Sequence, residues 1–295
     1  MYINKEYGQM ELLEGKKYIC IKRNGEKIGE KNLVLREHLV EIYVNEILTM
    51  KVICTAEYLT ELVLGRLFTE GVIESIDEIE EILICESGNR VNVSLFKYDY
   101  LHQHSNQKVG KKEENEKVDI LAKDDEEQED YVETLPTCCT SNKNLSHWFL
   151  KKEKKAVRKI EKINWNEEWV FAMADKMADG MPLHSETWGT HSCFLSKEGE
   201  ILFGCEDIGR HNALDKVIGY ALRNEIALEK CLVYSSGRVP VDMLEKVIKS
   251  GIPVLASKAV PTKEAIELAK EYGLTLICSA RRDRMRVYTG LEFME

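Results

Sequence analysis

The sequence predicts an α/β protein fronted by a smaller β-rich part. Three observations predict it. From residue 191 on, short β-branched runs alternate with stretches of helical period, the pattern of parallel strands joined by right-handed crossovers. Before residue 102 the apolar runs fall instead into hairpins around one helical stretch. Between the two, residues 102–133 are almost wholly polar. At 295 residues and 44% hydrophobic content, the chain has room for a core in each part. The expected division is 1–101, β-rich with one helix; 102–133, an insertion; and 134–295, α/β.

Each element has its own warrant. "LVEIYVNEILTMKVI" reads as two strands around a tight turn at Asn45–Glu46. Thr55 is placed to cap a helix over "AEYLTELVLGRLFTE", with Leu59, Leu62, Val63 and Leu67 on its apolar stripe and Gly71 to stop it. "EEILICESGNRVNVSLF" is a second hairpin through Gly88–Asn89. Residues 102–133 cannot offset their ordering entropy by burial, which predicts a mobile surface insertion. A basic helix is expected over "LSHWFLKKEKKAVRKIEKI", then a second over "NEEWVFAMADKMADG", stopped by Gly180. "HSCFLSKEGEILFGCED" is a hairpin through Gly199, and "HNALDKVIGYALRNE" a helix with apolar residues at 214, 217, 218, 221 and 222. Strand "KCLVYSS", helix "VDMLEKVIKSG", strand "IPVLASK", helix "TKEAIELAKEYG" and strand "LTLIC" complete the pattern.

Composition narrows the function class. "MYINKEYGQMELLEGKK" lacks the basic start and apolar run of a signal peptide, and no apolar stretch approaches the roughly 20 residues that span a bilayer. A cytoplasmic protein with no membrane partner is expected. The net charge is −10, but residues 102–133, with eleven acids and five lysines, carry −6 of it. No nucleic-acid partner is expected, but with the charge so unevenly spread its bulk value says nothing about an anionic small ligand held by local arginines. Nine cysteines, an odd and scattered set, do not make a disulfide framework. Cys20, Cys54, Cys85, Cys231 and Cys278 lie in or beside apolar strands, where free cysteine packs as a small hydrophobe. Cys138 and Cys139, in the polar turn "TLPTCCTSN", belong to no apolar stripe.

Three strands of the α/β part end in small, polar or basic loops: Ser235-Ser236-Gly237-Arg238, Ser257-Lys258, and Ser279-Ala280-Arg281-Arg282. Parallel strands deliver such loops to one edge, where ligands of open α/β sheets bind. Hydroxyls, a glycine and arginines suit phosphate or pyrophosphate. "EDIGRHNALDKVIG" adds Arg210, His211 and Asn212 at a helix start, where free backbone amides favour an anion. The candidate binding set is Arg210, His211, Asn212, Ser236, Gly237, Arg238, Ser257, Lys258 and the run Cys278, Ser279, Ala280, Arg281, Arg282, Asp283.

These stretches, with "LVLGRLFTEGVI" upstream and "SSGRVPVDMLEKVIKSGIPVLASKAVPTKEAIELAKEYGLTLIC" downstream, resemble the FdhD family of formate dehydrogenase accessory sulfurtransferases. The resemblance runs from roughly residue 30 to 290, broken by the charged insertion. It implies a cytidine-deaminase-like fold and homodimers. It also implies a sulfur carrier that takes persulfide sulfur from a cysteine desulfurase. The sulfur passes to the molybdenum (or tungsten) bis-pterin guanine dinucleotide cofactor, molybdenum bis(molybdopterin guanine dinucleotide) in the first case, before its insertion into formate dehydrogenase. GDP or GTP would then mimic the bound cofactor. The family's Cys-x-x-Cys carrier loop matches Cys138-Cys139-Thr140-Ser141, so Cys138 aligns with the first cysteine and Ser141 replaces the second. Cys138 is the expected persulfide carrier and Cys139 the second choice.

Three rivals stand beside this. Zinc held by the two cysteines with His184, His191 and His211 needs thiolates that adjacent cysteines present badly. "HSE" at 184–186 matches half of a zinc-deaminase signature, but no downstream Pro-Cys-x-x-Cys follows. A non-catalytic chaperone for the cofactor would use the same strand-end residues and would keep its function with serine at 138.

Overall fold

The computed structural model describes residues 1–4, 10–96, 134–135 and 159–291. The N-terminal half holds β1 (Tyr2–Ile3), β2 (Leu13–Ile21), β3 (Lys27–Leu35), β4 (His38–Val44), β5 (Ile47–Cys54), α1 (Leu59–Glu70), β6 (Ile79–Ile84) and β7 (Arg90–Leu95). With β8 (Thr134–Leu135) they form a sheet of order β1-β6-β7-β4-β5-β8, while β2 and β3 pair only with each other. Both expected hairpins are present. Asn45 and Glu46 have φ of 47° and 70°, the left-handed pair that a tight two-residue turn demands. The insertion 102–133 and the pair Cys138–Cys139 lie outside the described residues.

Three expectations need correction here. Thr55 does not cap α1; Tyr58 stands at that position without a side-chain cap. The reason is tertiary: the Thr55 amide and hydroxyl both donate to Asp207 Oδ2, at 3.0 and 3.1 Å. Cys20 does not pack in a core, because β2 and β3 form a ribbon that leaves Tyr18, Ile19 and Ile21 exposed. Cys85 sits in the turn after β6, where its sulfur accepts the Arg90 amide at 3.3 Å and lies 3.3 Å from the Ser87 hydroxyl. Those hydrogen bonds outweigh burial and hold its thiol below the usual range.

The C-terminal half holds α2 (Glu167–Asp179), α3 (Pro182–Thr187), β9 (His191–Lys197), β10 (Glu200–Asp207), α4 (Arg210–Arg223), β11 (Cys231–Ser235), α5 (Val241–Lys249), β12 (Val254–Ser257), α6 (Lys263–Tyr272), β13 (Thr275–Cys278) and β14 (Arg286–Val287). The expected basic helix does not reach Lys159–Ile163, which is not helical; the Ile160 amide instead donates to Tyr272 O at 2.8 Å. The rest of that helix lies outside the described residues. The sheet order is β10-β9-β11-β12-β13-β14, with β11, β12 and β13 parallel and β9 antiparallel to both neighbours. Strand alternation sorts the core into two faces. Cys193, Leu195, Val233 and Leu255 pack against α4, α5 and α6, whereas Phe194, Leu232, Tyr234 and Ala256 pack against α2.

Helix α1 lies between the two halves and is buried nearly all round. Its Leu59, Leu62, Val63 and Leu67 belong to the core of the first sheet. Its other face meets α4 so closely that glycine is needed on both sides. A Cβ on Gly65 would lie 1.8 Å from Asp215 O, and one on Gly219 1.8 Å from Glu61 O.

Candidate functional site

Because β9 runs against β10 and β11, the ends of β10, β11, β12 and β13 and the start of β9 come to one edge. The start of α4 joins them, three residues after β10 ends. The sequence expected this convergence, and the strand order produces it.

The turn from β10 into α4 is fixed by Asp207. Its carboxylate accepts from the Gly209 amide (2.9 Å), Asn212 Nδ2 (2.8 Å) and Thr55, and it pairs with Lys216 Nζ at 2.7 Å. Both charged side chains are fully buried. Glu206 beside it accepts from the Leu183 and His184 amides and the Thr190 hydroxyl, tying the α3–β9 segment to the same edge. Gly209 at the N-cap offers no side chain to the helix start, so the first amides of α4 remain available to a ligand.

Arg210 and His211 stand on that first turn. The side chain of Arg210 lies across Gly237, where an added Cβ would come within 2.9 Å of Arg210 Cβ. Gly237 is thus the residue that lets the β11 loop approach α4. Arg210 Nε is buried without a partner. His211 is only 5% exposed, its Nε2 lies 3.1 Å from Asp242 Oδ2, off the line of a good hydrogen bond, and its Nδ1 has no partner. Burial lowers the His211 pKa, with Lys246 and Arg210 adding to that, against the pull of Asp242. His191, opening β9, meets Ser236 Oγ through Nδ1 at 3.2 Å; burial first, then Arg210, lowers its pKa too.

The other expected residues divide into groups. Ser236, Lys258 and Ser279 are half-buried, and Arg238, Arg281 and Asp283 are exposed. These present polar surface at the edge. Ser257 is buried and donates to Gly237 O at 2.7 Å, bracing the β11 loop. Asn212 is buried with both ends used: it accepts from Arg66 and donates to Ile53 O and Asp207. Cys278 and Ala280 are in the core, and burial pushes the Cys278 thiol up to about 12. Arg282 pairs with Asp175 and Asp179 of α2. Cys193 and Cys205 are core residues whose thiols burial raises, consistent with packing.

Sequence reasoning did not assign His191 and Asp242 to this edge. The available signal was positional: His191 opens a strand antiparallel to those whose ends form the edge, and Asp242 opens the helix that follows the β11 loop. His184 and Glu186 stand on the six-residue α3; His184 Nδ1 meets Thr190 O at 2.9 Å and Glu186 is exposed. Among the described residues, no group of three or more His, Cys, Asp or Glu side chains is arranged to hold a metal.

Comparison with known proteins follows the same outline. Residues 35–295 match the FdhD/NarQ family. The sulfur carrier protein FdhD of Bacillus subtilis is 29% identical over 269 residues, 91% of this chain and 92% of that one. The same-named protein of Geobacillus kaustophilus is 30% identical over 268 residues, 90% and 92% of the two chains. That of Listeria monocytogenes strain EGD-e is 27% identical over 259 residues, 88% and 90%. The crystal structure of a Desulfotalea psychrophila protein, provisionally described as a formate dehydrogenase accessory protein, superposes with a TM-score of 0.68. It covers 95% of this chain and 97% of its own at 23% identity, which establishes a common fold.

Proposed function

The chain belongs to the FdhD/NarQ family, and from that premise we propose that it is a sulfur carrier serving formate dehydrogenase maturation. The observation that carries the reading is the length of the match to proteins named for sulfur carriage, about nine-tenths of each chain. The finer steps belong to the same proposal. A cysteine desulfurase presents a persulfide; the thiolate of Cys138 attacks its terminal sulfur, forms a new S–S bond and releases the donor's cysteine thiolate. No oxidant is consumed. The cofactor, molybdenum or tungsten bis-pterin guanine dinucleotide, would then take the outer sulfur as the S–S bond breaks and Cys138 leaves as its thiolate; Arg210, Arg238, Lys258, Arg281 and the amides of α4 would hold its phosphates.

Two features support this division of labour. Cys54, Cys193, Cys205, Cys231 and Cys278 are buried with raised pKa values, which disqualifies them as exposed thiolates. And β8, the last described pair before Cys138, runs parallel to β5, toward the end where Thr55 meets Asp207. We also read the C-terminal part as cytidine-deaminase-like, on its mixed sheet with β9 alone reversed among the first five strands. A cytoplasmic homodimer completes the reading; no helix among the described residues is long and apolar enough to cross a membrane.

Two measurements test it. With a cysteine desulfurase and L-cysteine, intact mass should show one added sulfur on the wild type, lost in Cys138→Ser. Loss only in Cys139→Ser moves the carrier by one residue, and loss only in Cys85→Ser moves it to the one described thiol with a lowered pKa. Undiminished loading and dehydrogenase activation in the Cys138/Cys139 double variant leaves the chaperone reading. For the cleft, calorimetry with GDP should show binding that weakens about tenfold or more in Arg238→Ala and Arg281→Ala. Unchanged affinity in both means the cleft lies elsewhere.

A further inference from the structure

The sulfur chemistry makes no use of the buried pair His211–Asp242, yet the pair sits at the first turn of α4. Asp242 is a carboxylate whose own Oδ1 accepts the Met243 amide at 2.8 Å. Its Oδ2 lies 3.1 Å from His211 Nε2, off hydrogen-bond geometry, and its negative charge favours the tautomer with the proton on that nitrogen. That leaves a lone pair on Nδ1, a buried ring nitrogen with no partner. Next to it Arg210 Nε is likewise buried and unpartnered. Buried polar atoms without partners are rare enough to need a cause. Here Arg210 Nε and both ring nitrogens of His211 stand beside uncapped helix amides, with Asp242 Oδ2 also outside hydrogen-bond geometry; donors outnumber that one acceptor, so an anionic group suits the site.

A neutral His211 is a poor match for that group. Its Nδ1 lone pair faces phosphate oxygens that also carry lone pairs. A protonated ring turns the same atom into a charged donor. The surroundings decide which form is present. Asp242 on α5 favours the charge; Lys246 on α5 and Arg210 on α4 oppose it. His191 on β9 is coupled to His211 and is itself under the influence of Asp207 at the end of β10. Burial with these cations lowers the ring's pKa, and the negative charge of an arriving diphosphate would act in the opposite direction.

We propose that His211, held by Asp242, takes up a proton when a diphosphate occupies the edge, so that ligand binding is proton-coupled. The proposal rests on the reading of this edge as a guanine nucleotide site and adds the ionic state in which the site works. The sign follows. Binding raises the His211 pKa, so affinity is greatest at low pH and falls as pH rises between the free and bound values. Above and below that window it is flat.

The test is calorimetry of the full-length protein with GDP-mannose, whose diphosphate diester does not titrate near neutrality, in buffers of different ionisation heat. The wild type should take up on the order of one proton at the optimum, and affinity should fall up to about tenfold per pH unit within the window. His211→Gln should still bind, more weakly, with no uptake and a flat pH profile. His191→Gln should retain the uptake. Binding without uptake in the wild type overturns the inference and leaves the nucleotide site standing; so does uptake that survives in His211→Gln or vanishes in His191→Gln. If neither GDP-mannose nor GDP binds the wild type, the edge reading falls and the inference with it.

Discussion

Helix α4 presents two polar regions a turn apart, and they are opposites. At its middle, Asp215 pairs with Arg66 Nε (2.9 Å) and Lys246 (2.9 Å) and accepts from Thr69 (2.8 Å), while Glu70 pairs with Arg66 and Lys246. Two acids meet two bases, all buried, between α1, α4 and α5. At its start, Arg210 Nε and His211 Nδ1 have no partner among the described residues. The same helix thus carries one cluster whose charges are matched by ion pairs within the protein and one in which buried nitrogens lack hydrogen-bond partners. Burial alone ranks them alike; counting ion pairs separates the seam that joins the halves from the strand-end edge.

The largest effect should come from the seam's tightest point. Gly65→Ala or Gly219→Ala puts a methyl 1.8 Å from a backbone oxygen of the facing helix, which no rotamer relieves. Separating α1 from α4 would open the charged cluster to strain on both sides. A loss of about 4 kcal/mol or more is expected by chemical denaturation, enough to unfold a marginal protein. A variant within about 1 kcal/mol of the wild type would mean that the helices do not cross here.

Next comes charge. Asp215→Asn leaves Arg66 and Lys246 facing Glu70 alone, a buried excess of positive charge that should cost about 3–5 kcal/mol. Burial alone would raise the Asp215 pKa, but Arg66 and Lys246 outweigh it and hold it below the ordinary range. A depressed carboxylate contributes stability above its unfolded pKa of about 3.9 and loses it as pH falls through the lower folded value. The wild type should therefore weaken below about pH 4, and Asp215→Asn should show a shallower acid limb. Equal acid limbs would show that Asp215 is not the titrating group.

How much of this was legible follows from the range of the interactions. Helix and strand identities came from local periodicity, and the hairpins at Asn45–Glu46, Gly88–Asn89 and Gly199 came from turn chemistry; the hairpins are in place, and of the expected helices the basic one alone fails where it is described, at 159–163. The convergence at the edge followed from parallel pairing. What stayed hidden depends on contacts between distant residues. Thr55 looks like a cap locally and is an Asp207 partner 152 residues away. Asn212 looks like a ligand residue and is consumed by Arg66, 146 residues away. The histidine of "GRHN" gave no hint of Asp242, because that pairing is made by α4 and α5 packing side by side.

The smallest expected effect sharpens the same contrast on the surface. Arg281 and Arg282 are neighbours in a strand-end loop and are indistinguishable as sequence. In the fold Arg282 reaches Asp175 and Asp179 on α2, and its side chain is half-exposed, whereas no ion pair engages Arg281 among the described residues. Exposed pairs of that kind contribute about 0–1 kcal/mol, so Arg282→Ala should shift the unfolding midpoint little. Its charge is also already shared with two carboxylates, which weakens its claim on a phosphate. Arg282→Ala should then cost GDP affinity only about twofold, against about tenfold for Arg281→Ala. Calorimetry of the two variants side by side decides it. If Arg282→Ala costs as much as Arg281→Ala, the ligand pulls Arg282 away from α2, and partner counting underestimates the reach of this loop.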